Sequence, residues 1–330
     1  MKVKNFVPSY RLLLENGELE QRIYKFKEML KSCSLCPRNC GVNREKGEIG
    51  YCRIGDKAIV ASYCIHRGEE PVISGFRGSG TVFFANCNLS CLFCQNYEIS
   101  QEKSNKFREV TIKELSEIYL ELEESGVHNI NWVSPTHIVP QAVEALYIAG
   151  KKGLSIPVVY NSNGYDSLET LKLLEGIVDI YLPDLKYLDD DVAKKLSNVS
   201  DYSIFAKNAI KEMWRQVGKL VCDEKGVAVK GLLVRHLVLP NNLSQSSDVI
   251  KFLSEEIAKN VAISLMAQYY PAYKAFENPQ IDRPITKKEY EKVLETLYYF
   301  GLSEGFIQEL CSFNIYRPNF SRDGHPFEDN

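Results

Sequence analysis

Short apolar segments alternate with amphipathic segments along most of the chain after residue 80. Six of the apolar segments are rich in β-branched or aromatic residues and have the length of strands. They are residues 80–85, 127–134, 156–160, 177–182, 231–239 and 261–266. Repeated strand–helix units predict right-handed crossovers and a parallel sheet. Six units are too few to close an eight-stranded barrel. The pattern therefore predicts an α/β fold built around an open, partial (β/α)6 barrel.

Capping signals mark two of the helices expected between or after these strands. Thr111 and Glu114 have the spacing of a capping box, and so do Thr286 and Glu289. Gly301 stands where the second of these helices is expected to end, because glycine adopts the left-handed backbone of a helix C-terminus. Helices are thus predicted to begin at Thr111 and Thr286.

The two ends of the chain do not follow the strand–helix pattern. A helix is predicted over residues 18–31 because Leu19, Ile23, Phe26 and Leu30 share one face. A segment rich in Cys, Gly and Arg follows it, and the end of the chain has no period at all. We predict three parts: a Cys-rich N-terminal accessory segment (residues 1–75), the partial-barrel core (76–270), and a C-terminal helix with an irregular tail that covers the barrel (271–330).

Composition and charge add expectations about location and partners. A net charge of −3 over 330 residues gives no general attraction to nucleic acid or anionic membranes, so neither is expected as a partner. The sequence has no apolar run of the roughly 18 residues that a membrane helix needs, and its N-terminus does not resemble a signal peptide. A cytoplasmic protein is expected. The chain has ten cysteines, and in a reducing compartment these favour metal sites over disulfides.

Polar or reactive side chains follow each predicted strand. They occupy residues 87–94, 134–137, 161–164, 184–186, 235–236 and 266–270. In parallel α/β folds the ligand lies at the carboxyl ends of the strands, so these segments are expected to surround one site. Arg235 and His236 are neighbours in one strand and must point to opposite faces, and we expect Arg235 to face the site.

The first of these segments places Cys87, Cys91 and Cys94 within a few residues of one another. A helix could bury all three on one face as ordinary packing residues. Structural zinc would need a fourth ligand, such as Cys64 or a histidine. A [4Fe–4S] cluster normally takes one thiolate per iron, so three thiolates would leave one iron open to a substrate or cofactor.

The spacing of these cysteines, with the aromatic Phe93 before the last one, resembles the signature of the radical S-adenosylmethionine (radical SAM) superfamily. The resemblance implies a [4Fe–4S] cluster whose open iron chelates S-adenosylmethionine. It also implies reductive cleavage to a 5′-deoxyadenosyl radical that abstracts hydrogen from a substrate. The stretches CQN, NSNGY, LPDLK and VRHLVLP are similar to the pyruvate formate-lyase activating enzymes, and GSG and MAQY are similar to a group of proteins related to those enzymes.

The resemblance also implies roles for individual residues. The cluster ligands, which are counted as catalytic, would be Cys87, Cys91 and Cys94. The residues that would contact S-adenosylmethionine are Phe93, Ser134, Pro135, Thr136, Asn161, Ser162, Asn163, Asp184, Lys186 and Arg235. Substrate contacts are expected from His137, Gln268 and Tyr269, with Tyr270, Tyr273 and Arg283 as further candidates.

Two departures from the family pattern affect these roles. Ser134, Pro135 and Thr136 stand in place of a Gly-Gly-Glu-Pro loop, so the acid that meets the methionyl amino group is missing. A hydroxyl or a backbone carbonyl is expected to take over that contact. Asn161 stands where the activating enzymes have an Asp that, with its neighbour and the Asp corresponding to Asp184, is associated with a monovalent cation. Cation binding is therefore less expected in this chain.

A second group of cysteines precedes the barrel. Cys33, Cys36, Cys40 and Cys52 supply four thiolates within twenty residues, enough for a closed metal site. The spacing fits zinc and an auxiliary [4Fe–4S] cluster equally well, and a reduced form without metal is the third alternative.

Three functions follow as alternatives. The chain could be an activase that abstracts hydrogen from a glycine of a partner enzyme, which needs an open barrel mouth. It could be a radical SAM enzyme for a small molecule or another macromolecule, with the N-terminal segment and the tail closing over the mouth. It could instead be a metal-stapled binding module without catalysis. Both enzyme alternatives need an electron donor such as flavodoxin or ferredoxin.

Overall fold

The structure is a computed structural model, and it describes residues 6–102, 107–314, 317–320, 322 and 325–327. Its strands form one mixed sheet. In chain order they are β1 (Ala58–His66), β2 (Ser79–Phe84), β3 (Arg108–Val110), β4 (Ile130–Val133), β5 (Val158–Asn161), β6 (Ile180–Tyr181), β7 (Val221–Cys222), β8 (Ala228–Leu237), β9 (Ala262–Met266) and β10 (Gly305–Ile307). The six predicted strands are present as β2, β4, β5, β6, β8 and β9.

The central run of the sheet is parallel and has the order β10-β9-β8-β6-β5-β4-β2. It confirms the α/β class and adds β10 as a further parallel strand beyond the six predicted. β1 pairs antiparallel with β2, β3 pairs antiparallel with β1, and β7 pairs antiparallel with β8. Within the described residues the sheet is open, because β10 and β3 stand at its two ends.

Helices lie between most of the strands. In chain order they are α1 (Ser9–Glu15), α2 (Glu18–Lys31), α3 (Pro71–Ser74), α4 (Tyr97–Ser100), α5 (Ile112–Glu124), α6 (Val139–Lys151), α7 (Leu168–Leu174), α8 (Asp190–Ser197), α9 (Tyr202–Val217), α10 (Ser246–Phe252) and α11 (Lys287–Phe300). Both predicted capping boxes form, at Thr111 before α5 and at Thr286 before α11. The predicted helix over residues 18–31 is α2, and its four apolar positions are buried. No helix in the described part of the chain is both long and apolar enough to cross a membrane.

The two faces of the sheet carry separate apolar clusters. Trp132 on β4 packs with the side chains of the surrounding helices. On the other face, Ile180 and Ala262 begin their strands and pack with Ile73 of α3. The short helix α3 therefore fills this face of the sheet near the amino ends of the strands. The carboxyl ends remain available to surround a cavity.

The predicted three-part division stays a prediction, but the sheet runs across both of its boundaries. β1 lies within residues 1–75 and pairs with β2, and β10 lies within residues 271–330 and pairs with β9. In the described part of the tail, the backbone N–H of Phe320 donates to Glu98 Oε2 at 2.8 Å, and the Phe320 ring lies 5.3 Å from that of Phe83. Segments from both ends of the chain thus contact the core.

Candidate active site

A cavity of about 510 Å³ lies at the carboxyl ends of the parallel strands, and Cys87, Cys91 and Cys94 all line it. They occupy the loop between β2 and α4. Asn86 begins this loop with a left-handed backbone, φ 68°, which asparagine tolerates better than most residues. The loop after this turn places the three cysteines at the carboxyl ends of the strands, where the sequence predicted them.

Each of the three thiols has a hydrogen-bonding neighbour. The Leu89 N–H and the Asn163 amide donate to Cys87 Sγ at 3.4 and 3.3 Å. Hydroxyl oxygens lie 2.8 Å from Cys91 Sγ and 3.2 Å from Cys94 Sγ, and they belong to Ser197 and Ser100.

Burial raises the pKa of the Cys87 thiol to about 11 and that of Cys91 to about 12. Both thiols are therefore protonated at neutral pH unless a metal replaces the proton. Three convergent thiols with polar neighbours at one end of the cavity fit a [4Fe–4S] cluster with one iron left open.

The loop after β4 divides into one residue on the cavity and three away from it. Ser134 lines the cavity and has a left-handed backbone, φ 55°. Thr136 is buried and its hydroxyl donates to Asp166 Oδ1 at 2.7 Å. His137 is also buried, its Nε2 lies 2.9 Å from the Ala85 carbonyl, and burial lowers its pKa to about 4. Together with Pro135, these two residues are not among those that line the cavity, and their ligand contacts stay predictions.

Asn161 at the end of β5, with Ser162 and Asn163 of the loop that follows, contributes to the cavity lining. The Asn161 amide accepts from Arg235 and donates to Glu69. The Ser162 hydroxyl donates to Asp166 Oδ2 at 2.6 Å. Asp166 thus accepts hydrogen bonds from the loops after β4 and β5 and holds the two loops together.

Three charged side chains form a network inside the cavity. Arg235 Nε donates to Asp184 Oδ1 at 2.9 Å, and Lys186 Nζ donates to Asp184 Oδ2 at 2.6 Å. Arg235 Nη2 donates to Asn161 Oδ1 at 2.7 Å. Burial favours the neutral form of Asp184, but the two cations outweigh it and hold its pKa below the usual value. The guanidinium therefore bridges Asp184 and Asn161, which come from the ends of two different strands.

The orientation of β8 agrees with the alternation expected of a strand. Arg235 lines the cavity, whereas His236 is fully buried on the opposite face. Its Nδ1 lies 2.6 Å from the Leu185 carbonyl and its Nε2 lies 2.9 Å from the Ser246 hydroxyl in α10. His236 is a structural residue between the sheet and a helix.

Glu69, which was not predicted as a site residue, enters the cavity from the loop between β1 and α3. Its Oε2 accepts hydrogen bonds from the amides of Asn131 and Asn161 at 2.7 and 2.8 Å. Its Oε1 lies 3.7 Å from Arg235 Nη1. Both oxygens of Glu69 are therefore engaged with the walls of the cavity.

Its neighbour Glu70 was also missed and is placed differently. Glu70 lines the cavity, but its Oε2 is buried and has no hydrogen-bond partner. Burial and the nearby Glu69 charge raise the pKa of Glu70 to about 7. Two adjacent acids directly before Pro71 and an apolar run were the signal in the sequence that could have marked this loop.

The predicted substrate residues are also divided. Gln268 lines the cavity, and its Oε1 accepts a hydrogen bond from the Gln308 amide at 2.8 Å. Tyr269 is fully buried instead, donates to the Ile281 carbonyl at 2.6 Å, and lies with its ring 6.2 Å from that of Phe93. Phe93 itself lines the cavity.

The further candidates lie elsewhere. Tyr273 stacks on Tyr97 with ring centroids 5.2 Å apart, and Arg283 forms an ion pair with Glu289 at 2.9 Å. The Tyr270 ring lies under the Arg317 guanidinium, 4.5 Å from its centroid. Among the described residues that line the cavity there is none of the three candidates Tyr270, Tyr273 and Arg283.

The N-terminal cysteines are neighbours in the structure, since Cys52 and Cys33 act on the thiol of Cys36, and Cys33 and Cys40 act on that of Cys52. Cys33 and Cys52 are buried, Cys36 is half-buried and Cys40 is exposed. Burial raises the pKa of the Cys36 thiol to about 12, and the charges of Cys52 and Cys33 add to the effect. Across the described residues, no three His, Cys, Asp or Glu side chains are arranged to hold a single metal ion.

Comparison with known proteins places the cavity in a family. The model of the radical SAM superfamily matches residues 81–216, which include the three-cysteine loop and the loops after β4, β5 and β6. Over 293 residues the chain is 34% identical to "Uncharacterized protein MJ0674" of Methanocaldococcus jannaschii, covering 86% of this chain and 79% of that protein. It is 25% identical over 265 residues to "Uncharacterized protein MJ0808" of the same organism, covering 75% and 73%.

Solved structures show weaker likenesses. Methylornithine synthase (PylB) has a TM-score of 0.48 and 16% identity, covering 76% of this chain and 75% of that one. HydG, a maturase of the [FeFe]-hydrogenase, has a TM-score of 0.45 and 15% identity, covering 68% and 49%. Likeness at this level does not bear on function.

The superfamily model thus falls on the segment whose three thiols share one cavity, and a relative that is 34% identical matches most of the chain. This chain belongs to the radical SAM superfamily.

Proposed function

We propose that this radical SAM enzyme acts on a small-molecule substrate held in the cavity beside Cys87, Cys91 and Cys94. When bound there, a [4Fe–4S] cluster would supply the electron that splits S-adenosylmethionine, and the resulting 5′-deoxyadenosyl radical would take hydrogen from the substrate. The observation that carries the proposal is the single cavity that joins these three thiols to the charged network of Asp184, Lys186 and Arg235.

The residues of the chain would bind and orient the cofactor. Lys186 lies near enough to Cys91 for its charge to favour the thiolate. Lys186 and Arg235 are the cations available on the cavity wall for the methionyl carboxylate. Ser134 offers the hydroxyl for the methionyl amino group that the missing acid would otherwise meet. Phe93 offers an aromatic face for the adenine.

The lining of the cavity supports a small molecule rather than a glycine loop of a partner enzyme. Residues 68–71 line it from the N-terminal side, and residues 305–308 with Pro318 and Phe327 line it from the C-terminal side. Segments from both ends of the chain therefore reach the cavity, as expected for an enclosed small substrate. The volume of about 510 Å³, which S-adenosylmethionine would share with the substrate, is within the range of small-molecule sites.

We place the enzyme in the cytoplasm, with a flavodoxin or ferredoxin as its electron donor. A role as an activase is the second candidate, on the strength of the likeness of CQN, NSNGY and LPDLK to the activating enzymes.

The test is to reconstitute the protein without oxygen, add dithionite and S-adenosylmethionine, and measure 5′-deoxyadenosine. Cell extract of the source organism is separated by ultrafiltration, and each fraction is added in turn. The proposal expects the small-molecule filtrate to raise the yield. A rise with the retained protein fraction only, together with a glycyl radical signal in electron paramagnetic resonance, would instead establish an activase. No 5′-deoxyadenosine under any condition would refute both enzyme functions.

Glu70→Gln is expected to lower the filtrate-stimulated yield of 5′-deoxyadenosine by about tenfold or more, the effect of losing one buried charged contact. The reason is that Glu70 has a buried, unpartnered carboxylate oxygen on the cavity, whereas both oxygens of Glu69 are engaged. Glu109→Gln is the matched control, because Glu109 is exposed and pairs with Lys57 at 3.4 Å on the surface. Equal yields from the Glu70 and Glu109 variants would remove Glu70 from the substrate site.

The same substitution has an expected effect on stability. The folded pKa of Glu70 is about 7, above the usual 4.5, so folding favours its protonated form. This contribution is complete below pH 4.5 and is lost as pH rises through 7. Glu70→Gln should therefore raise the free energy of unfolding at pH 8 and change it little at pH 4.5. Urea unfolding at both pH values checks this, and equal changes would show that Glu70 is not held protonated by the fold.

A further inference from the structure

One side chain touches both groups of cysteines. Asn88 is 1% exposed, and the Cys87 thiol lies 3.8 Å from its Oδ1. The thiol of Cys36 in the N-terminal group lies close enough to this side chain for Asn88 to lower its pKa, and Arg38, two residues after Cys36, donates through Nε to the Asn88 carbonyl at 3.0 Å. The side chain is held in place because its Oδ1 accepts from Asn163 at 2.7 Å and its Nδ2 donates to the Tyr165 carbonyl at 2.8 Å. The two groups of cysteines therefore meet at one fixed residue, Asn88.

A buried arginine marks the N-terminal group as a site for an anionic centre. Arg44 is 1% exposed, donates through Nε to the Gly55 carbonyl at 2.8 Å, and donates through Nη1 to the His137 carbonyl at 2.8 Å. Nη1 also lies 4.0 Å from Cys33 Sγ, and Nη2 is buried without any partner. A buried cation with an unpaired N–H is costly unless an anion meets it. Metal-bound thiolates would supply that anion.

The N-terminal cysteines also have an outer side and a side that faces the core. Cys40 is exposed, whereas Cys36 reaches Asn88 and through it the core site. Structural zinc has no need of this arrangement, because it only ties the segment together. An electron carrier does need this arrangement, because one edge of its cluster must be open to a donor and the other must lie against the acceptor. A cluster also carries sulfides that can accept the free Arg44 N–H, whereas zinc offers only its four thiolates.

We propose that Cys33, Cys36, Cys40 and Cys52 bind a second [4Fe–4S] cluster that passes electrons to the core site across Asn88. A one-electron donor of the flavodoxin or ferredoxin class reduces the N-terminal cluster. That cluster is then oxidised as it gives the same single electron to the core cluster, which is reduced. The electron path depends on the proposed function, because it needs a core cluster, whereas the identity of the N-terminal metal does not.

The first experiment measures metal in the full chain. The protein is reconstituted without oxygen in the presence of iron, sulfide and zinc, and metals are counted per chain. The wild type is expected to hold about eight irons, and the variant with Cys87, Cys91 and Cys94 all changed to alanine about four, without zinc. One zinc and no iron in that variant would overturn the proposal. That variant keeps all four N-terminal cysteines, so its metal content tests the N-terminal site alone. The core function is tested separately, by 5′-deoxyadenosine formation in the wild type.

The second experiment tests the contact between the sites. The electron paramagnetic resonance spectrum of the reduced wild type is expected to show a spin–spin interaction between the two clusters. The sum of the two single-cluster spectra should not reproduce it. In the variant that lacks the core cysteines, Asn88→Ala should make the potential of the N-terminal cluster more negative, since hydrogen bonds to the sulfurs raise it. Additive spectra and an unchanged potential would overturn the role of Asn88.

Gly50→Ala tests the site without removing a ligand. A Cβ at Gly50 would lie 2.5 Å from Cys40 Sγ and 3.3 Å from Val42 Cγ2, so Cys40 must move. The variant is expected to lose the N-terminal iron and keep the core iron. Gly55→Ala is the matched control, because nothing lies within 4 Å of its added Cβ. Full iron in both variants would show that Cys40 is not a ligand.

Discussion

Replacing Cys87 with alanine is expected to abolish iron binding at the core site and all reductive cleavage of S-adenosylmethionine. The site offers three thiols, and the loss of one leaves two irons of a cube without a protein ligand. Cys87 also accepts two hydrogen bonds, from the Leu89 N–H and the Asn163 amide. In the variant these two donors would face an empty space. The measurement is iron per chain together with 5′-deoxyadenosine formed with dithionite.

Cys311→Ala is the control for the loss of a thiol as such. Cys311 is exposed, belongs to neither group, and has a contact only with Glu309 among the side chains described for it. We expect this variant to match the wild type in iron content and in cleavage. Cleavage that persists in Cys87→Ala would contradict the assignment of the core site, whatever the second site contains.

The loops that surround the cavity could be predicted from the sequence because the apolar segments show where each strand ends. In a parallel sheet the carboxyl ends meet at one edge, so the loops with Cys87, Asn161 and Asp184 had to lie together. Alternation along β8 was also enough to separate Arg235 from His236. What could not be predicted was the pairing of side chains. That Arg235 bridges Asp184 and Asn161 depends on distances across the sheet that no local pattern contains.

The loop of Glu69 and Glu70 was missed for a related reason. Its residues have no period, and they precede the first strand of the predicted barrel. Only the antiparallel pairing of β1 with β2, and the packing of Ile73 against the strands, bring this loop into the cavity. The residues of β1 alternate irregularly between buried and half-exposed positions, which concealed the strand in the sequence. The loop after β4 lacks the acid of the family pattern, whereas Glu69 and Glu70 bring two acids into the cavity from another part of the chain.

Gly164→Ala is expected to disrupt the cavity from behind its lining. Gly164 has a left-handed backbone, φ 80°, and an added Cβ would lie 2.2 Å from the Asp184 carbonyl oxygen and 2.9 Å from the Tyr202 hydroxyl. That hydroxyl donates toward the Asn163 and Asp184 carbonyls at 2.9 and 3.0 Å and accepts from the Lys186 N–H at 3.1 Å. It ties together two loops that carry predicted cofactor contacts. An alanine must therefore separate these loops.

The expected cost is about 2–5 kcal/mol in the free energy of unfolding, from an unfavourable backbone and a clash with backbone atoms. Gly126→Ala separates the two contributions, because Gly126 has nearly the same backbone, φ 85°, and nothing lies within 4 Å of its added Cβ. It should cost only about 1–2 kcal/mol and leave S-adenosylmethionine binding unchanged. Urea unfolding and equilibrium binding of S-adenosylmethionine would be measured for both variants. If the Gly164 variant loses stability but binds with the affinity of the wild type, the loops after β5 and β6 do not form the cofactor site. If both variants lose the same stability, the close approach of Gly164 to Asp184 plays no part in holding the cavity.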